Sequence, residues 1–219
     1  MHSTVGLKLM MAVSGLYFVF FVLFHMYGNL KILVSHVAFD DYAHHLRTMF
    51  EPILPYEGFL WIFRLTLIVA LVAHVYSAFT LWSRANHARS TRYAVKKASA
   101  ASLSSKWMRW GGVALLLFIV FHLAQFTLMW INVGGTFASP AERVVAAFQV
   151  PWLTLIYVLA LCALAMHIHH GVWSASQTLG LTNTAKSRRT AKATGAVLSA
   201  IIVVGFLIPP LAILFGAIK

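Results

Sequence analysis

The 219 residues are 60% hydrophobic and only 10% charged, a balance that excludes an ordinary soluble domain. The formal net charge of +12 would suit nucleic acid, but the placement of the charges argues for a topology signal instead. The lone Cys162 excludes an intrachain disulfide and, inside an apolar stretch, reads as a small buried side chain.

Five stretches are long enough to cross a bilayer, which takes about 20 helical residues: Leu9–Leu33, Phe59–Trp82, Trp110–Val133, Trp152–Trp173 and Gly195–Ile218. The first is too long for a cleaved signal and is expected to be retained. An outer connection over Val34–Gly58 follows, interrupted by Pro52 and Pro55, with a short interfacial helix expected over Asp40–Phe50. The second span returns to the basic segment Arg84–Arg109, loosened by the Ser/Ala-rich run Ala98–Ser105. The third runs out to Gly134–Gly135, and Pro151 opens the fourth at a favoured first-turn position. The basic connection Gln177–Lys192 leads to the fifth span, where Pro209–Pro210 must kink the helix or break its ladder locally. Lys8, Arg84, Arg89, Arg92, Lys96, Lys97, Lys106, Arg109, Lys186, Arg188, Arg189 and Lys192 fall on one side, twelve of the seventeen basic residues. All five acids, Asp40, Asp41, Glu51, Glu57 and Glu142, fall on the other. The positive-inside rule then puts the N-terminus in the cytoplasm and the C-terminus outside.

The first four spans each hold a histidine: His25, His74, His122 and His167. An ionisable residue in hydrocarbon is costly and tends to be functional, and neutral imidazole is an axial ligand for haem iron. At about 1.5 Å per residue, His25 lies roughly 25 Å and His122 roughly 19 Å from the inner boundary, both in the outer half. His74 and His167 lie roughly 24 Å from the outer boundary, in the inner half. Depth therefore pairs His25 with His122 and His74 with His167, at levels roughly 15 Å apart, a workable spacing for two haems exchanging electrons. Zinc or copper would bring Cys, Met or carboxylate partners to one depth, and the carboxylates here are all outside. His170, three residues beyond His167 on nearly the same face, is an alternative fourth ligand or a propionate contact; His169 points elsewhere. Gly15 and Gly112 each precede the outer-pair histidine of their own span by ten residues. A missing side chain there leaves room either for a flat macrocycle or for close helix packing. The expected architecture is an all-α membrane protein of five transmembrane helices in one domain, the first four forming a haem-binding bundle and the histidine-free fifth peripheral.

Ser14-Gly15-Leu16, His25-Met26-Tyr27-Gly28-Asn29-Leu30, His74, Phe121-His122-Leu123 and the run from His167 to Gly180 (HIHHGVWSASQTLG) together resemble one family. It is the dihaem cytochrome b membrane anchors of succinate dehydrogenases and fumarate reductases that have a single five-helix subunit. The resemblance covers nearly the whole chain. It implies His25 and His122 on an outer haem b, His74 and His167 on an inner haem b, and a complex with a cytoplasmic FAD-bearing flavoprotein and an iron–sulfur protein. It also implies electron exchange with a membrane quinone, menaquinone by expectation, in the cell membrane of a prokaryote. Two positions depart from the pattern. Some members carry a glutamate two residues before the fourth ligand, where this chain has Ala165. They carry another in the first outer connection, where equal spacing gives Arg47, with Glu51 or Glu57 as candidate substitutes.

A quinone site needs titratable groups at a membrane face, and the outer candidates are Asp40, Asp41, His44, His45, Glu51 and Glu57, with Arg64 just inside the second span. Arg64 reads as a partner of an outer haem propionate, as a partner of a quinone oxygen, or as a side chain snorkelling to the interface. The rival readings are a dihaem anchor of another quinone-linked oxidoreductase and a haem-free anchor or transporter with structural histidines.

Overall fold

The computed structural model describes residues 3–88, 100–135 and 137–219. The basic residues Arg89, Arg92, Lys96 and Lys97, and the start of the Ala98–Ser105 run, lie outside them. The described residues form seven helices: α1 Thr4–Leu30, extended by a 3₁₀ turn Lys31–Leu33, α2 His36–Thr48, α3 Gly58–His87, α4 Ala100–Phe126, α5 Pro140–Phe148, α6 Pro151–Thr178 and α7 Ala185–Leu214. Five stretches, Thr4–Leu33, Gly58–His87, Trp107–Phe126, Pro151–Thr178 and Ala185–Leu214, are long and apolar enough to cross a membrane. Their outward faces carry Val13, Ile68, Val72, Leu117, Val120 and Leu159, each more than half exposed. With no water to take them, these side chains face lipid, and the chain is a multi-pass membrane protein.

Helix limits follow local chemistry. The Ser3 side chain accepts from the Gly6 amide and starts α1 ahead of the expected Leu9. Thr184 and Ser187 form a reciprocal capping box, so α7 begins ten residues before the expected Gly195. The helix assignment of α7 runs unbroken through Pro209 and Pro210, although neither proline can donate to the ladder. Helix α4 begins at Ala100, inside the run expected to be loose, and the third span stops at Phe126 rather than Val133. Its end is closed by Leu128 and Trp130 amides turning back to the Leu123 and Ala124 carbonyls. The first interfacial helix begins at His36, where Ser35 caps Ala38, four residues before the expected start.

A second interfacial helix, α5, lies where a plain connection was expected. Its signal is local: Ser139 accepts from the Glu142 amide, Pro140 occupies the first turn and Glu142 faces the positive helix end. α2 and α5 pack together, joined by the Ala141 amide donating to Asp40 Oδ1 at 2.9 Å. Val144, Val145 and Phe148 of α5 enter one apolar cluster with Leu153, Tyr157 and Ile213, closing the acid-bearing end of the bundle.

Among the spans, α1 packs on α3 and α6, and α4 packs on α6. Helices α1 and α4, and α3 and α6, therefore face each other across the diagonals. The fifth span, α7, flanks this bundle on α6 and α1. It carries no histidine, yet its Phe206 ring sits 5.6 Å from that of His25, so it contributes to the interior. Cys162, expected to be buried, is exposed on the outside of α6.

Candidate functional site

Each diagonal of the bundle is bridged by two imidazoles. His25 on α1 and His122 on α4 have ring centres 5.8 Å apart with planes at 79°. His74 on α3 and His167 on α6 have ring centres 6.2 Å apart with planes at 57°. It is His167 whose ring meets His74; His170, the alternative, lies one turn further along α6 and is partly buried. Two contacts between the levels, one a hydrogen bond and one a packing contact, give their separation. Ser14 Oγ lies 3.1 Å from His74 Nδ1, and the eleven residues from Ser14 to His25 rise about 16 Å along unbroken α1. Gly112 faces the His167 ring, and the ten residues from Gly112 to His122 rise about 15 Å along α4. The depth arithmetic and the packing agree.

Of the two readings of these glycines, room for a macrocycle or close packing, the structure bears on the second. An added Cβ at Gly15 would stand 3.2 Å from His74 Cε1, and one at Gly112 would stand 3.5 Å from His167 Cε1. Each helix of the His25–His122 pair thus offers a glycine, ten residues earlier, to an imidazole of the other pair. The space left by the missing side chain receives a histidine ring, and this gives the repeated Gly–His spacing a packing cause.

Hydrogen bonds set the tautomers. Ser14 Oγ donates to the Met10 carbonyl at 2.7 Å, so it accepts from His74 Nδ1–H and leaves Nε2 of His74 with its lone pair. Tyr157 OH donates to Gln125 Oε1 at 2.7 Å, so its oxygen accepts from His122 Nδ1–H at 3.2 Å and frees Nε2 of His122. Sequence reasoning missed both Tyr157 and Gln125. The available signal was Gln125 itself, an amide inside a span, 2% exposed and costly there without a partner. His167 Nδ1 is buried without a hydrogen-bond partner among the described residues.

These residues fit a group that takes two axial imidazoles. A metal–imidazole bond of about 2 Å places the centres of two opposed rings roughly 6 Å apart, as both pairs are. Among the described residues no three His, Cys, Asp or Glu side chains converge, so each pair would offer a bound metal two imidazoles and no third side chain of these types. Aromatic rings wall the sites: Phe21 stacks on His25 at 5.3 Å, Phe118 on His122 at 5.8 Å, and Phe18 meets His74 edge-on at 6.2 Å.

The acid-bearing end holds a second constellation. Glu57 receives Arg47 Nε at 3.1 Å on one oxygen and Arg64 Nη1 at 3.6 Å on the other. Arg64 therefore turns back toward the start of α3, over the Trp61 ring, in the manner of a snorkelling side chain. Arg47 is tied to Glu57, while Glu51 is exposed and outside these ion pairs. Asp40 is committed to the α5 amide. At the other departure, the Ala165 carbonyl accepts from Ser199 Oγ of α7 at 2.8 Å, so that position fastens two helices. No protein-family model, curated protein or solved structure matches the chain.

Proposed function

We propose that this chain is the cytochrome b anchor of a succinate:quinone oxidoreductase, a succinate dehydrogenase or fumarate reductase, holding two haems b. The observation that carries the reading is the pair of histidine couples on the two diagonals of one bundle, about 15 Å apart along the helices. His25 and His122 would hold the outer haem, His74 and His167 the inner one. Haem b, when bound, would supply one-electron transfer, with each haem held by two imidazoles of this chain. The residues of this chain orient and insulate. Ser14 and the Tyr157–Gln125 pair fix the histidine tautomers, Phe18, Phe21 and Phe118 exclude water, and α5 with Phe148 closes the acid-bearing end.

The succinate and fumarate side of the proposal rests on the sequence resemblance, above all the run His167–Gly180. Under it the basic cytoplasmic connections, including Lys186, Arg188, Arg189 and Lys192, dock an iron–sulfur protein that carries a flavoprotein. The membrane quinone is reduced or oxidised at the outer end, with Glu57 and Arg64 as its nearest charged candidates. Ala165 supplies no proton-carrying group, so protons reach that site from the acid-bearing end.

A dithionite-reduced absorption spectrum of the purified protein, with haem quantified per chain, tests the reading. Two b-type haems per chain are expected, and loss of one is expected in either His25→Ala or His74→Ala. A purified, folded chain without b-type bands would refute it in favour of a haem-free anchor. Copurification of a covalent-flavin subunit separates the succinate enzyme from the other quinone-linked oxidoreductases.

A further inference from the structure

The Tyr157–Gln125 pair is buried polar chemistry near the acid-bearing end of a membrane bundle, with no part in packing that a Phe–Leu pair could not play. Tyr157 is 8% exposed and Gln125 2%, on α6 and α4, and their hydrogen bond crosses between the two helices at 2.7 Å. Phe118 and Phe148 box the Tyr157 ring edge-on at 5.0 and 4.9 Å, which fixes where its oxygen stands. Because the hydroxyl hydrogen is committed to Gln125, the oxygen can only accept, and the donor that reaches it is His122 Nδ1 at 3.2 Å. Donation along a chain polarises each member, so a tyrosine oxygen that already donates is a stronger acceptor.

We infer that Tyr157, held by Gln125, is a positioning residue for His122 that lowers the reduction potential of the haem bound there. The inference rests on the proposed haem ligation. A ligating imidazole whose other ring N–H is engaged by an acceptor is more basic at its ligating nitrogen, and a more basic axial ligand stabilises oxidised iron over reduced iron. Three of the histidines are supported differently: His122 has this two-residue relay, His74 has the Ser14 hydroxyl, and His167 Nδ1 has no partner among the described residues. The pair thus gives the two haems unequal potentials by a device outside the ligand set.

The test is a spectroelectrochemical titration of the purified chain and its Tyr157→Phe variant. Removing the acceptor is expected to raise one of the two midpoint potentials by about a tenfold change in the reduction equilibrium, about 59 mV for one electron. The other wave should stay in place, and the low-spin electron paramagnetic resonance signal of the affected haem should shift with it. Because Tyr157→Phe strands the buried Gln125 amide, the Tyr157→Phe/Gln125→Leu double variant removes both polar partners and is expected to titrate in the same way. Two unchanged waves in variants that keep both haems would overturn the inference and leave haem ligation standing. Equal movement of both waves would also overturn it, since that reports a general change in packing. Absence of haem from the wild-type protein would instead refute the proposed function.

Discussion

Replacing Gly15 and Gly112 with alanine, one at a time, separates the packing role of these glycines from any general need for small residues. Both lie inside helices, so either change gains up to about 1 kcal/mol of helix propensity. Their surroundings differ. The new methyl at Gly15 would sit 3.2 Å from His74 Cε1, tight enough that the ring must retreat by a few tenths of an ångström. The ring is tethered by the Ser14 contact at 3.1 Å and backed by Phe18, and overpacking of such a site costs about 1–3 kcal/mol. The methyl at Gly112 meets His167 Cε1 at 3.5 Å, ordinary contact. Gly15→Ala should therefore be about 1–3 kcal/mol less stable than Gly112→Ala. At roughly 2–4 °C per kcal/mol for a chain of this size, it should melt several degrees lower. Thermal unfolding followed by helical circular dichroism in detergent measures this, and reduced spectra should show the His74 side perturbed in Gly15→Ala alone. Equal melting temperatures with unchanged spectra would refute the argument that Gly15 exists to receive the imidazole.

Asp40→Ala should cost about 1.5–3 kcal/mol, because it removes a charged acceptor from the otherwise buried Ala141 amide at the positive end of α5; thermal unfolding checks this, and a loss below a few tenths would show that α5 is held by apolar contacts alone. Glu57→Gln should cost less than about 1 kcal/mol, since both ion pairs are about a third exposed, and the loss should shrink in high salt. If melting temperature fell as far at high salt as at low, the two arginines would be held by something other than charge. Tyr42, outside the spans, has its phenol pushed above the ordinary value of 10.0 by burial first, then by Tyr27, with Lys31 acting the other way. The folded state therefore keeps the proton more tightly than the unfolded one, so this contribution is fully present below about pH 10 and is lost as pH rises above it. Tyr42→Phe should flatten the alkaline fall in stability; an unchanged slope would rule the phenol out as its source.

The spans and the histidine pairing were legible because both depend on counting along helices, and a fixed rise per residue turns sequence position into depth. The partner of Asp40, the Ala141 amide, is 101 residues away, and no periodicity announces it. Helix α5 is nine residues long, so its only local signal is the start Ser139-Pro140-Ala141-Glu142, with no long apolar run to mark it. Cys162 was placed inside because apolar composition cannot tell the interior of a bundle from lipid. Tyr157 was invisible for the same reason: a tyrosine in a span reads as packing until its hydroxyl is seen between Gln125 and His122.

The same limit explains why the sequence leaves the glycines open between room for a macrocycle and close packing. A sequence places Gly15 ten residues below His25, but it cannot say which neighbouring helix fills the gap. In the bundle the filler is a histidine of the other diagonal at each of the two positions. This couples the sites physically. Helix α1 carries His25 and the floor under His74, and α4 carries His122 and the floor under His167, so each helix of one pair also sets the stance of the other. Sliding α1 or α4 along its axis would disturb both pairs together, while sliding α3 or α6 would disturb His74 or His167 first. Substitutions that shift α1, such as Gly15→Ala, should accordingly reach the His25 side more readily than bulky changes on the lipid face of α3, for example Val69→Phe.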